Sequence, residues 1–149
     1  MFEIVSEADF LYGGTADALF TCTFYCRTED GTFPDDEWTD FAQTVLCWWG
    51  ETILGITNAG EVTFKLLFED GPYWITGKKQ NDIVTLHFCT DKKSDRMIAD
   101  TQLEFLELAS AIEKAMRHLA SNLYMSGNTI AAQQMQDEAV RIRRAILKR

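Results

Sequence analysis

Positive charge is scarce in the first half of this chain. Residues 1–70 carry 14 acidic side chains against two basic ones, Arg27 and Lys65, a net of −12; residues 71–149 carry nine acids and 12 bases, a net of +3, which completes the chain's −9. Such a field repels nucleic acid and favours a basic partner. The basic C-terminal segment has no interleaved aromatics, so it does not restore a nucleic-acid reading. No apolar run approaches the roughly 20 residues a spanning helix needs. The opening MFEIVSEADF lacks the basic and apolar regions of a signal peptide. A cytoplasmic protein with no membrane partner is therefore expected. Proline is also rare, with two in 149 residues, while 46% of the chain is hydrophobic. That suits one domain with a substantial core.

The motifs of common chemistry are missing as well. There is no phosphate-cradling glycine loop, no dinucleotide fingerprint and no nucleophile elbow, and Gly13-Gly14 alone makes none of them. The four cysteines, at 22, 26, 47 and 89, form no C-x-x-C pair. Cys22 and Cys26 on one strand would stand about 13 Å apart, beyond disulfide reach. Reduced, buried thiols fit this spacing, which again points to the cytoplasm. A zinc site would require Cys22 and Cys26 to meet His87 and Cys89 across paired strands. A Cys–His pair would need hydrogen-bond contact, but His87 and Cys89 at i and i+2 stand roughly 6.5–7 Å apart. His118 falls in the middle of a predicted helix. No catalytic residue, metal or cofactor is assigned.

What is present is strong periodicity. Residues 18–27 alternate, with Phe20, Cys22, Phe24 and Cys26 on one face, and read as a strand; FEIV reads as a short one. The segment FPDDEWTDFAQTVLCWWGE (33–51) predicts an amphipathic helix over about 34–49. Pro34 suits its first turn, Asp35, Asp36 and Glu37 complement its dipole, and Trp38, Phe41, Ala42, Val45, Leu46 and Trp49 recur at helical spacing. Gly50 ends it. Trp48 lies about 100° off that stripe, so it should be more exposed than Trp49. TILGIT (52–57) reads as a short strand. Runs at 61–69, 73–79 and 83–89, joined by DGP and QND turns, form an antiparallel meander. Thr101 and Glu104 have the form of a capping box, opening a helix over about 101–125. Ser126-Gly127-Asn128 breaks it, and a second helix follows over about 128–147. The expectation is a single α+β domain: an antiparallel meander sheet in a sheet-rich part (1–90), one amphipathic helix, and a C-terminal helical hairpin (101–149).

FPDDEWTDFAQTVLCWWGE followed by FEDGPYWI resembles small acidic bacterial immunity proteins of polymorphic or contact-dependent toxin systems. The resemblance spans about residues 20–90. It implies binding and neutralisation of a cognate toxin, plausibly a basic nuclease, without catalysis. In that reading Asp35, Asp36, Glu37 and Asp40 are the charge contacts, and Trp48, Tyr73 and Trp74 the aromatic anchors. The rivals are a small-ligand protein or enzyme with a tryptophan-lined pocket, and an adaptor or phage-type assembly protein oligomerising through its C-terminal hairpin.

Overall fold

The alternating stretches form two four-stranded antiparallel sheets, and three helices pack with them, an α+β fold. The computed structural model describes residues 1–12, 21–93 and 97–148, with side chains throughout except at 8–12. The expected Gly13-Gly14 loop, residues 18–20 of the predicted strand and residues 94–96 of the polar link lie outside the described residues.

The first sheet pairs β1 (Phe2–Tyr12) with β2 (Thr21–Thr28), and β2 in turn with β3 (Gly31–Phe33) and β4 (Thr39–Asp40). The second is the predicted meander, β5 (Glu61–Leu67), β6 (Tyr73–Gln80) and β7 (Ile83–Thr90), extended by β8 (Thr101–Glu104). Along β7, Val84, Leu86 and Phe88 are buried and Ile83 and His87 exposed, so period 2 translates directly into one covered face. The turns also fall where expected, with positive φ at Gly31, Gly71 and Asn81.

The first helix corrects the expectation. It is α1 (Ala42–Ile56), so it starts eight residues later than predicted and absorbs the segment read as a strand at 52–57. Pro34 follows a cis peptide bond in a turn rather than opening a helix. There Asp35 accepts the backbone N–H groups of Glu37 (2.9 Å, Oδ1) and Trp38 (3.2 Å, backbone O). The Trp38 carbonyl then accepts from the Phe24 N–H at 2.9 Å, and Thr39–Asp40 pairs with β2. These backbone groups are committed to the sheet before helical bonding can begin. Gly50 does not end the helix. It lies inside it, facing α2, where a Cβ would stand 2.6 Å from the flexible end of Met116, Cε. Past Gly50, Ile53 and Ile56 continue the buried stripe of Val45, Leu46 and Trp49.

The capping box is also corrected. Thr101–Glu104 is a strand on β7, with Leu103 buried opposite Val84. The second helix, α2 (Phe105–Met125), begins after it without a side-chain cap. Gly127 (φ 86) separates it from α3 (Thr129–Leu147), close to prediction, and α2 and α3 pack together as the expected hairpin. One core runs through both sheets and all three helices. At its centre Phe24 and Phe33 of the first sheet meet Trp49, Phe68, Tyr73 and Phe88 at ring separations of 5.0–6.1 Å. No helix among the described residues is long and apolar enough to cross a membrane.

Candidate functional site: an acidic tip beside an apolar strand pair

Asp40 organises the end of the molecule where the two sequence motifs meet. It is 1% exposed. Its Oδ1 accepts the Phe41 N–H at 2.7 Å; its Oδ2 accepts the Trp38 indole N–H at 3.1 Å and the Asp70 backbone N–H at 3.3 Å. The last bond ties the 34–38 turn to the β5–β6 turn. Trp38 closes the same joint from above. A Cβ on Gly71 would stand 2.3 Å from its ring, and the ring meets Tyr73 edge-on at 5.1 Å. Only glycine, at φ 73, fits there. Burial pushes the Asp40 carboxyl above the usual aspartate range, against the three hydrogen bonds that favour its charged form.

The joint links two acidic turns whose carboxylates are all exposed, Asp35, Asp36 and Glu37 on one and Glu69 and Asp70 on the other. The Lys92 ammonium lies 5.7 Å from the ring of Tyr73, which the joint covers. Directly below this acidic rim, Leu67 and Trp74 are paired on β5 and β6, and Leu67 is 46% exposed. The Leu67 carbonyl accepts the Trp49 indole N–H at 2.7 Å. Trp48, one residue along, is 41% exposed where Trp49 is 0%, as the helical stripe predicts. Farther along the outer face of the second sheet the charge changes sign. There Lys65, Lys78 and His87 border a shallow depression of about 530 Å³. An apolar centre with a charged rim is the composition of a protein-binding surface.

Two expected contact residues take a different role. Asp40 and Tyr73, the latter 8% exposed, are buried, so neither can face a partner. They hold the tip together from inside, because the three donors and the aromatic edges that surround them leave no room for solvent. Asp35, Asp36, Glu37, Trp48 and Trp74 do reach the surface. Glu69 and Asp70 were missed, although both stand in the quoted FEDGPYWI motif.

The chemistry weighed against this site does not assemble. Cys22 and Cys26 are buried in the first sheet, and burial raises both thiol pKa values. His87 and Cys89 belong to the second sheet, so the strands proposed to converge on zinc do not pair. His87 Nδ1 is 2.5 Å from Asp100, while Cys89 donates to the His87 carbonyl at 3.5 Å, so no Cys–His couple forms. Among the described residues, no cluster of three or more His, Cys, Asp or Glu is arranged to hold a metal ion. The four tryptophans take separate places: Trp49 is in the core, Trp38 caps the joint, and Trp48 and Trp74 lie on α1 and β6. The chain matches no protein-family model, no curated protein and no solved structure.

Proposed function

We propose that the chain is a binding protein of the immunity type, which neutralises a basic protein toxin by covering its active or substrate-binding face. The observation that carries this reading is the joint at Asp40, which holds two distant turns bearing five exposed carboxylates beside a strand pair of exposed Leu67 and half-buried Trp74. The carboxylates steer a basic partner during encounter, and the apolar pair provides the surface that is desolvated on docking. A basic nuclease fits because its substrate face must itself carry positive charge to hold phosphates. The test is protection. Cells making the toxin encoded next to this chain should survive when the chain is co-expressed and die when it is absent. Survival that does not depend on the chain, or a chain that never co-purifies with the toxin, removes the reading.

One observation favours the assembly reading. The bend of the α2–α3 hairpin exposes Tyr124, Met125 and Ile130 together. Light scattering of the purified chain separates the two: a monomer supports the immunity reading, and a stable oligomer lost on Met125→Glu with Ile130→Glu supports assembly.

A further inference from the structure

Among the described residues β1 is an edge strand: its only ladder partner there is β2, and no described strand lies on the other side of its backbone. A groove of about 340 Å³ runs along it. One wall is the strand itself, from Phe2 to Glu7; the other is a stripe of α2 formed by Ala111, Lys114, Ala115 and His118. A groove lined by consecutive strand residues and one helix flank is the setting in which an extended peptide adds to a sheet. The alanines matter here. Their small side chains leave room between helix and strand for the inward side chains of an added strand.

The charge on β1 selects what can be added. Glu3, Val5 and Glu7 share the outer face, opposite Arg27, Tyr25 and Thr23, while Phe2, Ile4 and Ser6 face inward. Arg27 holds Glu3 Oε2 at 3.2 Å, and Glu7 is exposed. A second copy of β1, paired antiparallel about Val5, would set each Glu3 against the other copy's Glu7. Like charges directly opposite each other destabilise a strand pair, so the strand disfavours itself and any acidic strand. Lysine or arginine at those places is favoured. On the inner side the helix presents Ala111 and Ala115, with Lys114 and His118 beside them, so small apolar side chains fit against the alanines. We propose that the β1–α2 groove binds an extended segment of a partner protein as an added strand, with basic residues on its outer face and small apolar residues turned toward Ala111 and Ala115. This surface is separate from the acidic tip and stands without the toxin reading.

The test is selection of random linear peptides, displayed on phage, against the whole purified chain. Enriched peptides should alternate, with Lys or Arg spaced to meet Glu3 and Glu7 and small apolar residues between. Successive strand residues point their N–H groups to opposite sides, so one of Ile4→Pro and Val5→Pro removes a free-edge donor and spares the pairing with β2. The proline variant that melts like the parent should bind the selected peptides about tenfold more weakly or worse. Ala111→Phe, which fills the groove, should do the same, and Glu7→Lys should shift the selection toward acidic peptides. No enrichment, or peptides that bind the folded proline variant and Ala111→Phe as well as the parent, would overturn the proposal. Should both proline variants unfold, Ala111→Phe and the Glu7→Lys selection decide it.

Discussion

Asp70 donates its backbone N–H to the buried carboxylate of Asp40 across 3.3 Å and 30 residues of chain. That bond, with the Trp38 ring seated on Gly71, joins the two turns into one tip. Replacing Asp40 by alanine leaves the Trp38, Phe41 and Asp70 donors without an acceptor. A loss of about 1–3 kcal/mol is expected, the cost of unsatisfied buried donors. Asp40→Asn keeps one acceptor oxygen but turns an amide toward donors, so it should fall between. Melts give the loss of stability, and faster amide exchange at Glu69–Gly71 in both variants would locate it. Unchanged exchange there would mean the two turns hold together without Asp40.

The adjacent tryptophans should separate in stability. Trp49→Ala removes a fully buried ring that meets Phe24 and Phe68 at 5.4 Å each and donates to Leu67. It should cost roughly 3–5 kcal/mol. Trp48→Ala should cost less than about 1 kcal/mol, as for an exposed position. Denaturant titration of both variants checks this, and equal losses would contradict it.

The tip shows what the sequence could and could not reveal. Strands β5 to β7 were legible because alternation and turn residues agree over short distances. The start of α1 was not. Trp38 and Phe41 stand at helical spacing from Val45 and Trp49, and periodicity alone cannot show that the Trp38 carbonyl bonds to Phe24. Gly50 read as a stop because its approach to Met116 is a contact between segments distant in the chain, which local pattern does not show. Thr101 and Glu104 read as a cap because β8 exists only through its pairing with β7. The exposed acids at 35–37 were legible as candidates. Their union with Glu69 and Asp70 was not, since it depends on a contact between segments distant in the chain.

The helical hairpin should behave as part of the core. Ile142 is fully buried on α3, within 3.6 Å of where a Cβ on Gly50 would lie. Ile142→Asp places a charge there and should destabilise the monomer by several kcal/mol. Thermal melts read beside light scattering check this: a folded, less associated monomer of unchanged stability would show that Ile142 serves an interface between copies instead.

Glu113 should give the fold a pH dependence. Its buried Oε1 accepts from Arg117 and Arg143, each at 2.6 Å. Burial pushes the carboxyl upward, but the hydrogen bonds and attraction of the two guanidinium groups outweigh it and hold the pKa below the usual glutamate range. A carboxylate lowered on folding contributes stability that is fully present above its unfolded pKa and is lost as pH falls through the folded one. Glu113→Gln should therefore cost about 1–2 kcal/mol at neutral pH, with both guanidinium groups half exposed. The gap to the parent should narrow in acid. A gap that stays constant down to acid pH would show that Glu113 acts only by shape.

The central claim is that the acidic tip captures a basic partner. The most direct measurement is the association rate of the chain with a basic protein toxin of the kind proposed as its partner, at low and physiological salt. The parent would be compared with a variant carrying Asp35→Asn, Asp36→Asn, Glu37→Gln, Glu69→Gln and Asp70→Asn, which leaves Asp40 in place. The account predicts that the parent associates fast and slows steeply with salt, while the folded variant associates about tenfold or more slowly with a flattened salt dependence. Equal rates and equal salt dependence for the two proteins would contradict it.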